Sequence, residues 1–339
     1  MHAIPSGVKI IFNKITQRFS DCKQKNGGAG KFMLRVTVLC ALLASLPLIS
    51  GAVHREAASD WREGWREWKS GDAAAALNSW SKNPLTSPFE IRPARVAYWK
   101  IRALERLGRD EEAAVAASLL ALRHPLDFYS LVLAYEGRYP ALTRLVRSAC
   151  ARAAYIRRWN GEVAVASAKT GVSQNILLGL IRQESKFNEQ AVSRSGAVGL
   201  MQLMPFTARE AAARLKNEEL SPYDPTHNIM LGAAYFAHLK ARFSNKLPLA
   251  LAAYNAGAAS VSRWDTEAGD WVEWIEEIPY PQTREYVRSV LENIEIYNVT
   301  DQEKRNGEPS FFAEALNRPQ LMKKVASGKR PEGVGTNAR

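Results

Sequence analysis

Glu184 sits where a carboxylate could carry a proton. At 3.6 residues per turn, Leu177, Leu180, Ile181 and Phe187 share one helical stripe. Glu184 comes three residues after Ile181, four after Leu180 and three before Phe187, which places it inside that stripe. An ionised carboxylate in apolar surroundings needs a paired charge, or its pKa climbs until it keeps its proton. A carboxylic acid protonated near neutral pH is what general-acid catalysis requires. The competing reading is structural, with Glu184 as the buried partner of an Arg or Lys.

Three further groups of residues follow within 120 positions. Gly196 and Gly199 space a loop that runs through Gly199-Leu200-Met201-Gln202-Leu203-Met204-Pro205. Ala253-Tyr254-Asn255-Ala256-Gly257 comes next, and Glu276-Glu277-Ile278-Pro279-Tyr280 then leads into Thr283-Arg284-Glu285-Tyr286-Val287. A metal centre is not expected. The five histidines (2, 54, 124, 227 and 238) and three cysteines (22, 40 and 150) have no ligand spacing.

Helices must position these groups, and the sequence punctuates them clearly. Gly171 breaks an apolar run into two, with Ser173 a candidate N-cap for the helix bearing Glu184. Asp224-Pro225-Thr226 opens a helix, because Pro suits the first turn and an acidic residue the N-terminal dipole. Pro248 opens another, which Gly257 closes. Residues 283–299 make the last periodic helix. Upstream, residues 59–158 read as helix pairs, with Gly71 and Gly108 lying 37 residues apart. That spacing suggests a short helical solenoid, or an ordinary bundle. The expected fold class is all-α.

Of 339 residues, 46% are hydrophobic and 24% charged, an ordinary globular balance. The net charge of +12 belongs mostly to the ends: residues 1–35 hold seven Lys/Arg against one Asp, and residues 301–339 hold eight basic against five acidic. No internal basic stripe marks a nucleic-acid partner. Residues 36–52 are uncharged and follow Lys31 and Arg35, ending in Ser50-Gly51-Ala52. This is the pattern of a secretory signal, with an uncleaved membrane anchor as the alternative. Met33 is an alternative start to Met1. The expected layout is a basic extension (1–32), a signal or anchor (33–52), a helical region (53–158), a catalytic domain (159–300) and a basic tail (301–339).

Taken in order and spacing, the four motifs over about residues 160–300 resemble the soluble lytic transglycosylases, goose-lysozyme-like enzymes that cut peptidoglycan. The helical segment ending in His124-Pro125-Leu126-Asp127-Phe128 resembles the end of the solenoid that precedes this domain in larger members. The resemblance implies a lysozyme-like helical domain with a groove for a glycan strand, working in the periplasm without cofactor. It implies Glu184 as the sole acid/base and Ser193 as a contact to the N-acetyl or peptide-bearing side of the sugar. Gln202 and Met204 would line the groove beside the cleaved bond. Tyr254 and Asn255 would come from the AYNAG motif, with the Tyr254 hydroxyl toward the acid or the acetamido group, and Glu276 would hold the far wall. Trp264, Trp271 and Trp274 are read as packing. Pro281-Gln282 departs from the family, where an acidic residue often precedes Thr-Arg. The alternatives are a goose-type lysozyme that hydrolyses the same bond, and a non-catalytic glycan-binding scaffold.

Overall fold

Among the described residues, the apolar stripes predicted from spacing become helices. The computed structural model describes residues 59–82, 93–264 and 270–302. The signal or anchor segment and the tail beyond residue 302 lie outside them. Among the described residues the chain is all-α, with two isolated β-bridges and no strand. It divides into two compact units, residues 1–93 and 94–339.

In the first unit, α1 (residues 59–69) and α2 (Ala73–Ser81) form a hairpin. Asp72 caps α2 by accepting from the Ala75 N–H at 2.9 Å. Trp61 stacks on Trp80 with ring centres 5.6 Å apart, and Lys82 pairs with Glu63 at 2.8 Å.

The second unit begins with α3 (Pro93–Arg106), α4 (Asp110–Arg123), α5 (Phe128–Glu136) and α6 (Pro140–Arg152). Gly108, singled out in the sequence, and Gly137, which was not, stand in left-handed conformation between helices. Next come α7 (Asn160–Thr170), α8 (Gln174–Ser185), α9 (Pro205–Arg214), α10 (Pro225–Arg242) and α11 (Leu247–Ala256). The short α12 (Ala258–Val261), α13 (Trp271–Glu277) and α14 (Pro281–Gln302) complete it. The expected terminators hold: Gly171 and Gly257 cap α7 and α11, and Asp224 caps α10 by accepting from the His227 N–H at 2.9 Å. Ser173 does stand at the N-cap of α8, but its side chain makes no capping bond.

Helix α14 is the axis of this unit. It packs along α8 and against α5, α6, α11 and α13. The crossing with α8 is close because Gly179 has no side chain: a Cβ there would lie 2.7 Å from Ile294 Cγ1. Buried polar bonds fix the register, with the Asn175 amide donating to Asn298 at 2.8 Å and Tyr155 to Asn293 at 3.0 Å. The helices of 94–158 join the same body, since the Phe128 N–H donates to Glu292 of α14 at 3.1 Å. No described helix is long and apolar enough to cross a membrane.

Candidate active site

Glu184 occupies the last turn of α8, one residue before the helix ends, and is half-buried as its place in the stripe requires. Burial raises its pKa from 4.5 to about 7, and a hydrogen bond from Tyr286 opposes part of that rise. The Tyr286 hydroxyl donates to Glu184 Oε1 at 2.5 Å. No cation contributes, so the salt-bridge reading of Glu184 has no partner among the described residues. An acid held near neutrality by an apolar wall and one phenol can give a proton and take it back.

Tyr286 is buried on α14, 102 residues from Glu184 in sequence. Burial pushes its own pKa well up, and the nearby Glu184 and Tyr254 add to this. It therefore stays a donor at any working pH. It stands in the fourth motif, where the sequence assigned it no role; that role needs the close α8/α14 crossing.

The loop after α8 forms the next side of the site. Val192 and Val198 pair across one bridge, and Val198 and Leu203 across a second. Asn228, wholly buried on α10, holds it from behind: its Oδ1 accepts from the Met201 N–H at 2.8 Å and its Nδ2 donates to the Val198 carbonyl at 3.0 Å. Gly199, with φ of 77°, is required by this approach, because a Cβ would lie 2.4 Å from Asn228 Nδ2. The neighbour that excludes a side chain at Gly199 is thus Asn228 rather than a ligand. Asn228 was not legible in the sequence as part of the site.

The expected site residues fall into distinct places. Tyr254, on α11, donates to the Met201 carbonyl at 2.8 Å and lies close enough to Glu184 for that charge to raise its pKa, after burial as the larger cause. Gln202 has a left-handed backbone (φ 47°), and its Nε2 donates to the carbonyls of Ala191 and Gly199 at 3.0 and 2.9 Å. Both amide hydrogens are therefore spent inside the loop. Met204 is 42% exposed at the start of α9, an apolar side chain open to a ligand. Ser193 is half-buried and closes its own turn, its Oγ accepting from the Ala197 N–H at 2.9 Å. Asn255 accepts from Thr283 of α14 at 2.7 Å, which ties α11 to the helix carrying Tyr286.

Glu276, expected to hold the far wall of a groove, lies inside the protein with a side chain 0% exposed. Arg95 of α3 pairs with it at 2.6 Å and Arg288 of α14 at 3.4 Å. Tyr129 and Trp99 donate to its Oε1, and Arg288 also donates to the Tyr129 hydroxyl at 2.8 Å. Burial alone would raise its pKa, but Arg95 and Arg288 outweigh that and hold it below the usual carboxylate range. Its carboxylate therefore reaches no solvent-facing ligand. It clamps α3, α5, α13 and α14 together. Among the described residues there is no group of His, Cys, Asp and Glu able to hold a metal ion.

Residues 162–275 match the transglycosylase SLT domain family. The soluble lytic murein transglycosylase of Salmonella typhimurium is 38% identical over 130 residues, 35% of this chain and 20% of that protein. The Escherichia coli K12 enzyme of the same name is 37% identical over 127 residues, with the same shares. Among solved structures, the 70 kDa soluble lytic transglycosylase of Escherichia coli aligns with a TM-score of 0.58 at 21% identity, covering 74% of this chain and 52% of that one. The lytic transglycosylase Slt of Pseudomonas aeruginosa aligns with a TM-score of 0.56 at 23% identity and the same coverage. The two structures establish the likeness of fold. The chain spans about a fifth of the length of these curated relatives and half that of the solved chains.

Proposed function

Because residues 162–275 form a transglycosylase SLT domain, we propose that the chain is a peptidoglycan lytic transglycosylase with Glu184 as its acid and base. The observation that carries this is the half-buried Glu184 carboxyl, with a pKa lifted to about 7 and no cationic partner. Most glycosidases use two carboxylates; here one group does both steps. Protonated Glu184 gives its proton to the glycosidic oxygen between N-acetylmuramic acid and N-acetylglucosamine, and the C1–O bond breaks. The acetamido oxygen stabilises the cation developing at C1. The ionised Glu184 then takes the proton of the muramic C6 hydroxyl as that oxygen bonds to C1. The products are a free sugar end and a 1,6-anhydro ring, and no water is consumed.

Tyr286 holds the carboxylate through both steps. Its hydrogen bond favours the ionised form and so opposes the desolvation that favours the acid, leaving both forms accessible near neutral pH. Tyr254 fixes the Met201 carbonyl and with it the loop, while Met204 offers apolar surface to the sugar. Ser193, Gln202 and Asn255 complete the groove through their remaining polar atoms. Glu276 acts as an anchor for the helices behind the groove. The substrate lies in the cell wall, so the leader of residues 33–52 directs the chain to the periplasm; N-terminal sequencing of exported protein should begin near Val53.

Mass spectrometry of digested sacculi tests the chemistry. Transglycosylase products carry anhydro ends and are lighter by one water than hydrolysis products. Reducing muramic ends would assign the site to a lysozyme-type hydrolase. An absence of any cleavage in a zymogram would leave only glycan binding.

A further inference from the structure

Helix α4 carries apolar residues on both of its sides. Residues 113–122 read AAVAASLLAL, a run without a single charge. On a helix they divide between two opposite faces. Ala113, Ala117, Leu120 and Ala121 are buried, and that side packs on α5 and α6. Val115, Leu119 and Leu122 lie on the other side, 62%, 48% and 64% exposed. No other helix among the described residues leaves three large apolar side chains in water. A helix apolar all round is ordinarily enclosed on every side, and contiguous apolar surface marks a contact with another chain. We infer that this face pairs with the same face of a second copy of the chain, the two α4 helices antiparallel about a two-fold axis. The inference is independent of the peptidoglycan reading.

Charge selects this occupant. Asp110 and Glu111 stand exposed in the first turn and Arg123 in the last, with no described partner. Glu112 differs, since Arg109 pairs with it at 2.6 Å. Around the helix axis, Glu111 falls within about 40° of Val115 and Leu122, and Arg123 within about 40° of Leu119. One apolar stripe therefore starts negative and ends positive. Turned end for end, a second α4 sets Val115 opposite Leu122 and brings Glu111 close to the other copy's Arg123, at both ends of the contact. Each helix N-terminus then lies beside the other's C-terminus, as the two macrodipoles prefer. Self-complementarity of this kind is what a two-fold interface needs. Ser118, on the same face, spends its hydroxyl on the Ala114 carbonyl at 2.9 Å, so pairing strands no donor there. The net-positive stretch beyond residue 302 would suit the acidic end but set like charge against Arg123. An anionic membrane surface would be repelled by Asp110 and Glu111.

Each α4 is about 21 Å long, so the contact is smaller than a standard interface of about 1,600 Å² and the dimer is a weak one. The test is sedimentation equilibrium of the full chain from about 10 μM to 1 mM. The wild type should pass from monomer to dimer over that range. Leu119→Glu, at an exposed position, should leave the chain monomeric. Glu111→Arg and Arg123→Glu should each weaken association by on the order of tenfold, because the axis makes every change count twice. Combining the two restores opposite charges at both ends and should return the affinity to about that of wild type. Circular dichroism checks that every variant folds. A chain that stays monomeric throughout would overturn the inference and leave the face to another occupant. Association that persists in Leu119→Glu, as contact through the uncharged segment 36–52 would, overturns it too. A double variant that associates no better than either single one would rule out the antiparallel pairing.

Discussion

A carboxylate with a folded pKa of about 7 against an ordinary 4.5 makes opposite demands on stability and on rate. Below pH 4.5 both folded and unfolded chains hold the Glu184 proton. Between 4.5 and 7 only the folded chain does, so the unfolded state binds fewer protons and stability falls as pH rises. Above 7 the deficit is fully present, on the order of 3 kcal/mol. Glu184→Gln removes it: thermal melts should show the variant more stable than wild type at pH 8 and equal near pH 4. Its activity on sacculi should fall by at least about 10²–10⁴, the worth of general acid catalysis alone. Tyr286→Phe makes a separate prediction. Without the hydrogen bond that lowers it, the Glu184 pKa rises further, so the alkaline limb of the kcat/KM profile should move to higher pH while the maximum falls. A tyrosine that merely fills space would leave that limb in place. The two residues also mark what a sequence can disclose. Glu184 was legible because its apolar neighbours lie within seven residues of it, on one helix. Tyr286 was visible only as a motif member without a role, because that role depends on a helix crossing set by Gly179 and Ile294, more than 100 residues apart.

At the scale of elements, caps and breakers were legible because they act through their own turn: Gly171, Asp224 and Gly257 all stand where their types predict. Glu276 shows the opposite case. Its motif lies near the groove in sequence, but its environment comes from Arg95, Trp99 and Tyr129 on two helices far upstream. Sequence spacing carries no information about those partners. The clamp makes a firm prediction: Glu276→Gln leaves Arg95 and Arg288 facing a neutral amide inside the protein, and breaking such a buried pair costs about 3–5 kcal/mol. Urea unfolding should show that loss, with activity per folded molecule falling less than in Glu184→Gln. Wild-type stability in the Glu276→Gln variant would mean that the carboxylate carries no net structural weight. At the α8/α14 crossing, Gly179→Val should be destabilising, since the new side chain must displace Ile294 or part the helices, at about 1–3 kcal/mol for overpacking. Activity should fall with it, because the same crossing sets the distance from Tyr286 to Glu184.

For the whole molecule, the compact unit that holds the motifs is larger than the stretch they occupy. Residues 159–300 contain every motif, and the family match covers 162–275, so a fragment starting near 159 would appear self-sufficient. The described structure instead joins 94–158 to that domain in one compact unit. Helices α5 and α6 cover one flank of α14, the Phe128 N–H is bonded to Glu292, and Tyr155 is bonded to Asn293. Arg95, Trp99 and Tyr129 supply most of the bonds to Glu276. Cutting at 159 would expose the apolar flank of α14 and leave Glu276 with Arg288 as its remaining ionic partner, unsatisfied and newly wet. A buried charge stripped of its main partner and an uncovered apolar face both favour unfolding. A chain of residues 94–302 should therefore fold cooperatively and cleave sacculi, whereas residues 159–302 should melt earlier or fail to fold, and lose activity through displacement of Tyr286. Melting curves and zymograms of the two fragments decide it. Equal stability and equal activity would mean that the upstream helices only decorate the domain, and that the Glu276 clamp holds nothing the site needs.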